Sequence, residues 1–224
     1  MITTASCVKG RGPATLKVSV NDYKFINSDE TGEEKVAVFR ITPHENYTAE
    51  PIHLNDIAVV ELANDIQLDN IPADMTTAPS KPSCINYDEV LPENTEGTAS
   101  GWGLSEPDGP ISTTLKIATV QIEADSASCK ADPAVGFTSS TMICTTNGAA
   151  TTALCNSDDG APLVVMNDAG KPIVVGIYSS TIGDKCVATS PSVFTRLSVF
   201  YAWLAKYAGS QPADCTSLPL AGEI

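Results

Sequence analysis

The sequence has few basic residues, few histidines and no long apolar segment, and each shortage excludes a class of function. Its 13 Lys and Arg residues stand against 27 Asp and Glu residues, which gives a net charge of −14. A chain this acidic repels nucleic acid phosphates and anionic lipid, so we expect neither nucleic acid nor a membrane as a partner. No apolar run is long enough to cross a bilayer. With two histidines and no C-x-x-C pair, the sequence offers no structural zinc site, and we expect no cofactor.

Seven cysteines without a zinc pattern favour disulfide bonds and therefore an oxidising, extracellular compartment. The odd number leaves one cysteine without a partner. The triplet Asn46-Tyr47-Thr48 is a sequon for N-glycosylation, which agrees with secretion. The first ten residues, MITTASCVKG, lack the apolar segment of a signal peptide. We therefore expect a secreted protein whose N-terminal beginning is missing from this sequence.

Short segments that alternate apolar and polar residues predict β-strands, and 15 prolines and 15 glycines supply the turns between them. Residues 64–98 are rich in Pro, Asp, Asn and Thr, and they are predicted to cross the surface between two groups of strands. The strands are predicted at residues 14–20, 35–41, 56–62, 98–102, 114–122, 142–144, 162–165, 171–178 and 193–196.

One helix is predicted, over residues 198–208, because apolar residues recur there at helical spacing. Its predicted buried face consists of Phe200, Trp203, Leu204 and Tyr207. Two groups of strands with one closing helix are typical of an all-β protein built from two barrels.

Six segments resemble, in order and spacing, the landmarks of the trypsin/chymotrypsin-like serine proteases (peptidase family S1). They correspond to the family's TAAHC, DIALLKL, VSGWG and GDSGGPL segments, its cleft-wall strand and PGVYTR. In this sequence they lie at residues 2–7 (ITTASC), 55–62 (NDIAVVEL), 99–103 (ASGWG), 155–163 (CNSDDGAPL), 175–179 (VGIYS) and 191–196 (PSVFTR). The resemblance covers nearly the whole chain, so the sequence is identified as a member of that family.

This resemblance implies a trypsin-like double six-stranded β-barrel with a C-terminal helix and with the N-terminal strands missing. Residues 1–224 then form one domain, whose parts are described in chain order. The expected parts are a remnant of the N-terminal barrel (1–65), a crossing segment (66–95), the C-terminal barrel (96–197) and the terminal helix (198–209).

The resemblance also implies how the cysteines pair. It pairs Cys129 with Cys144, and Cys155 with Cys186. The family partner of Cys7 would lie upstream of the first residue. Cys84 and Cys215 remain, and we predict that they pair across the back of the molecule. The alternative is that Cys84 holds an N-terminal segment that is absent here.

Two of the three catalytic positions that the resemblance identifies carry residues unsuited to the family's chemistry. Asp56 occupies the place of the catalytic carboxylate, but Ser6 replaces the histidine and Asp159 replaces the nucleophilic serine. The mechanism needs a serine hydroxyl, an imidazole base and a carboxylate that orients the imidazole. Because these groups act as a unit, their loss predicts an inactive protein, not an enzyme.

Neighbouring positions also depart from the family pattern. Ser157 replaces the glycine whose N–H helps to form the oxyanion hole, and Ala161 replaces a second glycine. Asp158 matches the aspartate that pairs with a freed N-terminal amine in active relatives, so here it is expected to be unpaired or hydrogen-bonded to nearby backbone. The specificity pocket and cleft edge are expected at Ala153, Ser192, Ser179, Ser180 and Thr181, none of which selects Lys or Arg by charge.

Three alternative active sites receive less support. His53 lies three residues before Asp56, but a histidine lining a cleft without catalysis is the better interpretation. Asp56 and Asp159 resemble a glycosidase acid pair only in residue type, since no aromatic sugar platform accompanies them. Ser157 as nucleophile would displace the turn and would still have no histidine.

Residues 21–34 resemble in position and acidity the calcium loop of trypsins. Glu30 and Glu33 are the candidate ligands, with Asp22 near the start of the loop. Calcium needs six to eight oxygen ligands, so an acidic, solvated loop without a metal is favoured.

The sequence therefore predicts a secreted, catalytically inactive serine protease homologue that binds a protein. Its partner is expected to be another secreted enzyme or a component of a protease cascade. The pattern resembles the secreted serine protease homologues of invertebrates and the glucanase inhibitor proteins of oomycetes. The competing hypothesis is an active serine-type endopeptidase, or another hydrolase, that uses an unconventional site.

Overall fold

In a computed structural model, strands with one buried and one exposed face form two β-sheets. Each sheet packs on a core of its own. The structure describes residues 1–25, 33–66, 82–85, 91, 95–123, 126–131, 136–147, 153–167, 170–183, 186–207 and 215. The strands are β1 (Ile2–Thr3), β2 (Lys17–Val20), β3 (Glu34–Pro43), β4 (Ala58–Leu62), β5 (Cys84–Ile85), β6 (Glu96–Gly101), β7 (Lys116–Ile122), β8 (Met142–Thr146), β9 (Pro162–Met166), β10 (Pro172–Thr181) and β11 (Ser192–Arg196). Single-turn α-helices are α1 (Ala5–Val8), α2 (Ala127–Lys130) and α3 (Tyr201–Leu204), and 3-10 turns cover Pro13–Thr15 and Ser198–Phe200.

The N-terminal sheet has the order β1-β4-β3-β2, and all its pairings are antiparallel. Val36 and Val38 of β3 are buried, whereas the alternating residues Lys35, Ala37 and Phe39 are exposed. This is the pattern of a strand with one face on a core. That core contains Ala5, Val8, Val18, Val38, Ala58 and Val60. This half has four strands within the described residues.

The C-terminal sheet closes on itself. Its order is β11-β8-β7-β6-β9-β10, and β10 pairs again with β11, which makes a six-stranded barrel. Closure removes the exposed strand edges of an open sheet. Strand β5 adds outside the ring, parallel to β10, through Cys84 opposite Ile173 and Ile85 opposite Val174. The prediction of an all-β fold with two barrel-like sheets is therefore confirmed.

The C-terminal helix is shorter than the predicted 198–208. It consists of the 3-10 turn Ser198–Phe200 followed by α3, and residues 208 and 209 lie outside the described residues. The backbone bonds that follow, from Lys206 N–H to Trp203 and from Tyr207 N–H to Leu204, span three residues rather than four. The predicted apolar face is correct, because it packs with residues of both sheets. Its cluster contains Ile57, Val59, Ile177, Leu197, Phe200, Trp203 and Leu204, with Tyr207 partly buried against it.

Three disulfides hold these elements together, with the pairings given above: Cys84–Cys215, Cys129–Cys144 and Cys155–Cys186. Cys7 is a free, exposed thiol in the structure. Within the described residues no helix has the length and apolar character needed to cross a membrane.

Candidate functional site

Asp56 lies where the two sheets meet, two residues before the first residue of β4. It is fully buried, and its backbone carbonyl accepts a hydrogen bond of 2.8 Å from the Thr195 hydroxyl of β11. A residue of the N-terminal half is thus fixed by a strand of the C-terminal barrel. The two halves together, and neither alone, determine the position of this carboxylate.

The Asp56 carboxylate accepts three hydrogen bonds. The backbone N–H of Ser6 donates to Oδ1 at 2.7 Å, and the Ser6 hydroxyl donates to Oδ2 at 2.8 Å. The hydroxyl of Ser179, at the end of β10, donates to Oδ2 at 2.7 Å. A charge buried this completely is tolerated only when hydrogen bonds or a cation compensate for lost hydration. Here neutral donors provide the compensation.

Neither histidine of the chain is among these donors. His53 Nδ1 shares a hydrogen bond of 2.8 Å with the Tyr47 hydroxyl, and the two rings are stacked. Burial raises the pKa of Tyr47 to about 12, and the charges of Asp56 and Asp159 raise it too. His44 lies against the terminal helix, with its ring centroid 4.9 Å from that of Trp203. The imidazole that the family's chemistry requires therefore has no counterpart bonded to Asp56.

The turn that follows Cys155 presents Asp159 to solvent. Gly160 allows the turn because its φ is +89° and because a Cβ there would meet the Thr3 hydroxyl at 2.6 Å. Ser157 also has a positive φ, +71°, which a non-glycine residue adopts at a cost of about 1 kcal/mol. The backbone thus keeps a conformation that suits glycine at both positions, although only one is glycine.

Asp158 points inward from the same turn and is bonded to backbone. Its Oδ1 accepts the Gly103 N–H at 2.8 Å and its Oδ2 accepts the Cys155 N–H at 3.0 Å. A Cβ at Gly101 or Gly103 would collide with its carboxyl group, so both glycines are needed to admit it. Burial raises the Asp158 pKa and the neighbouring Asp159 charge adds to this, whereas the two N–H donors lower it. Of the two states expected for Asp158, the structure shows hydrogen bonding to nearby backbone.

A pocket of about 330 Å³ lies beside Asp158. Ala153, which the sequence assigns to the base of the specificity pocket, is half-buried and lines this space together with Leu154. The rest of the lining comes from β6, β7 and the segment between them, and from Cys186. Ala153 therefore faces a cavity bounded by the first strands of the C-terminal barrel.

The predicted cleft-edge residues come together at the ends of β10 and β11. Thr181 is the register partner of Ser192, and Ser179 is a bulge residue between two paired positions. Sequence reasoning missed Tyr178, which precedes them and is 1% exposed. Its hydroxyl shares a hydrogen bond of 2.7 Å with Thr181 Oγ1. The available signal was a large aromatic residue followed by three small hydroxyl residues.

The candidate calcium ligands are only partly described. Glu30 lies outside the described residues. Glu33 Oε1 accepts the Ser19 hydroxyl at 2.9 Å and pairs with Lys35 Nζ at 2.9 Å. No group of three or more metal-ligating side chains occurs within the part of the chain that the structure describes.

Comparisons with known proteins agree on one family. The sequence model of the family described as Trypsin matches residues 1–204. The chain is 30% identical to bovine chymotrypsin-C over 206 residues, which cover 91% of this chain and 72% of that protein. It is 30% identical to mouse transmembrane protease serine 11C over 93% of this chain but only 46% of that protein. It is 29% identical to the fibrinolytic enzyme isozyme C of Lumbricus rubellus, over 91% of this chain and 82% of that enzyme.

Among solved structures, mouse neuropsin, described as a serine protease of the brain's limbic system, superposes with a TM-score of 0.73. The match covers 92% of this chain and 82% of neuropsin at 23% identity, which shows likeness of fold alone.

Proposed function

The chain belongs to the trypsin family of serine proteases, and on that premise we propose that it is a secreted, non-catalytic member that binds a protein partner. Loops on a rigid β scaffold are a common place for recognition, and the two sheets with three disulfides supply such a scaffold. The partner is another secreted enzyme or a component of a protease cascade.

The observation that carries this proposal is the bond between Ser6 and Asp56. Catalysis requires a base that removes the proton of the nucleophile and an acid that returns it to the leaving group. The group in the base position is the Ser6 hydroxyl, which donates a hydrogen bond of 2.8 Å to Asp56 Oδ2. A serine hydroxyl of ordinary pKa cannot accept and return protons at neutral pH.

Asp159 supports the same conclusion from the other side of the cleft. It is exposed at the tip of the turn, where active relatives carry the nucleophilic serine. A carboxylate at this place repels the negative charge that develops on the carbonyl oxygen during acyl transfer. Placing a full negative charge there opposes the step that the fold accelerates in active relatives.

Absence of catalysis is tested on the purified protein with a broad peptide library and a fluorophosphonate probe of active-site serines. We expect no turnover and no labelling, with bovine chymotrypsin-C as the positive control. The matched variant is Ser6→His combined with Asp159→Ser, which restores the residue types of the triad and which we expect to recover little activity. Turnover by the unaltered protein would overturn the proposal in favour of an unconventional hydrolase.

The partner is tested by affinity capture from the extracellular fluid that contains the native protein. We expect one secreted hydrolase or cascade protein to be retained, and purified partner and protein to form a complex measurable by calorimetry. A purified complex that does not form, or a partner retained equally well by denatured bait, would contradict the proposal.

Secretion and N-glycosylation belong to the same proposal. Asn46 is exposed in a turn, and its backbone N–H and carbonyl are bonded to His44 and Asn55. Expressed through a eukaryotic secretory pathway, the protein is expected to lose the mass of one glycan on treatment with peptide N-glycosidase F. Asn46→Gln and Thr48→Ala should abolish that shift, whereas Thr48→Ser retains the sequon and should keep it. An unshifted wild-type protein recovered from the medium would show that Asn46 is not modified.

A further inference from the structure

Tyr178 has the largest side chain among the fully buried residues that the structure describes, and it lies at the cleft. It is the residue of β10 directly before Ser179, which bonds Asp56. Its backbone N–H donates to the Ala161 carbonyl at 2.8 Å, and its carbonyl accepts the Gly160 N–H at 2.9 Å. The strand carrying Tyr178 is therefore bonded in both directions to the turn that presents Asp159.

The Tyr178 side chain packs with Ala161 of that turn and bonds to Thr181 at the cleft edge. The ring shares one buried cluster with Leu154, Ala161 and Phe194, and it meets the Phe194 ring edge-on at 5.7 Å. Its hydroxyl reaches Thr181, the register partner of Ser192. The Tyr178 hydroxyl thus contacts the edge of the cleft, while the Tyr178 ring packs in the core of the barrel.

We propose that the Tyr178 ring fills the primary specificity pocket of this cleft, while its hydrogen bond to Thr181 orients the ring without being needed to keep it in place. The side chain then acts as a permanent plug, so the cleft accepts no inserted side chain from a partner. Binding takes place across the surface of the cleft and its loops. This inference rests on the proposed function, because it describes how a non-catalytic cleft binds a protein partner.

The plug is stable for two physical reasons. A buried aromatic ring removes a large apolar area from water, and withdrawing it would leave a void and an unpaired Thr181 hydroxyl. Burial raises the pKa of Tyr178 to about 12, the Thr181 hydrogen bond lowers it, and the charges of Asp159 and Asp158 raise it. The phenol therefore remains protonated and available for the Thr181 bond at every physiological pH.

The surroundings of the ring define what an opened pocket would take. Ala161, Leu154 and Phe194 are apolar, and both oxygens of Asp158 are already bonded to backbone N–H groups. An uncharged aromatic side chain fits this lining, whereas none of these three apolar side chains offers a charged partner to Lys or Arg. The specificity-determining residue is therefore Tyr178, and the ligand class of the opened site is a neutral aromatic group.

The test compares wild type with Tyr178→Val, Tyr178→Phe and Phe194→Val. The last is a matched control, because Phe194 is fully buried in the same cluster but its side chain has no polar atom to bond the cleft edge. The probes are p-cresol, which reproduces the tyrosine side chain, and two cyclic peptides that imitate a protease-inhibitor loop and carry either Phe or Gly at the residue that inserts. Affinities are measured by calorimetry.

Wild type and Tyr178→Phe are expected to bind no p-cresol and to bind the Phe and Gly peptides equally. Tyr178→Val is expected to bind p-cresol and to favour the Phe peptide over the Gly peptide by at least about tenfold, which is roughly 1.4 kcal/mol. Phe194→Val should show no preference between the peptides, whether or not its cavity takes p-cresol.

Two results would overturn the assignment. A preference of wild type for the Phe peptide would show that the pocket is open. Binding of p-cresol by Tyr178→Val without a preference for the Phe peptide would show that the ring fills a core cavity closed to the cleft. If Tyr178→Val does not fold, the wild-type comparison decides alone, equal peptide affinities supporting the plug. Cleavage of either peptide by wild type would refute the proposed absence of catalysis while leaving the plug to be judged from the affinities.

Discussion

At the scale of single residues, the site is organised around a buried carboxylate that no cation among its hydrogen-bond donors neutralises. Asp56 depends on Ser6 and Ser179, which come from opposite halves of the molecule. Its role in the structure is to join the α1 turn to the end of β10. Within the described residues, the carboxylate accepts hydrogen bonds from Ser6 and Ser179 only.

Replacing Asp56 with alanine is expected to destabilise the fold more than replacing it with asparagine, which removes only the charge. Asp56→Ala leaves three donors without an acceptor and should lower the free energy of unfolding by about 3–5 kcal/mol. Asp56→Asn keeps an oxygen for the Ser6 N–H, while the hydroxyls of Ser6 and Ser179 can turn to accept from the amide, so its loss should be about 1 kcal/mol. Urea unfolding measures both. An alanine variant as stable as the asparagine variant would mean that these bonds do not stabilise the fold.

At the scale of elements, the terminal helix is joined to the loop between β3 and β4 by an aromatic and polar contact. The Trp203 indole N–H donates to Glu45 Oε2 at 2.8 Å. The centroid of the His44 ring is 5.3 Å from that of Phe200 and 4.9 Å from that of Trp203. The backbone N–H of Asn46 donates to His44 Nδ1 at 3.2 Å, a bond that is possible only while this nitrogen carries no proton.

This contact makes stability depend on pH. Burial lowers the pKa of His44, an effect that Lys206 strengthens and Glu45 opposes. Because the folded pKa lies below the unfolded value of about 6.5, the unfolded chain binds more protons in this interval. Stability from His44 is therefore fully present above about pH 7 and is lost as pH falls through 6.5 toward the folded pKa.

His44→Gln is expected to reduce the difference between the urea midpoints measured at pH 7.5 and pH 5. The chain has two histidines, so His53→Gln is the matched control and should leave the His44 contribution in place. An unchanged pH difference in His44→Gln would show that other groups account for the whole dependence.

At the scale of the whole molecule, long-range closures hold the C-terminal half. The β10–β11 pairing closes the barrel, and Cys84–Cys215 joins residues separated by 131 positions. Cys129–Cys144 spans only 15 positions and fixes α2 on β8. A cross-link stabilises chiefly by restricting the unfolded chain, and more so for a longer loop.

Removing the long disulfide should therefore destabilise the protein more than removing the short one. The pair Cys84→Ala with Cys215→Ala is expected to lose roughly 1–2 kcal/mol more than Cys129→Ala with Cys144→Ala, since the remaining disulfides shorten the long loop in the unfolded chain. Denaturant titrations of both double variants against wild type give the comparison. Equal losses, or a larger loss for the short loop, would contradict the loop-length argument and indicate that local packing dominates.

Much of the fold followed from local sequence. Alternation located β3, β7 and β10 to within a few residues, because a strand with one buried face must alternate. Strands β1 and β5 were missed, since two residues are too few to show a period. The terminal helix was predicted to be longer than it is, because apolar spacing does not distinguish α from 3-10 geometry in its last turns.

Residue identity at motif positions singled out Asp56, Ser6, Asp158 and Asp159 as candidate site residues. Only the tertiary structure decided what those groups bond to. It joined Ser179 to Asp56 across 123 positions, gave Asp158 its backbone partners and directed the Tyr178 ring toward Thr181. The physical reason is that the residue type at each position defines the chemical group of the side chain. Its burial and its partners depend on the closure of a barrel whose paired strands are far apart in sequence.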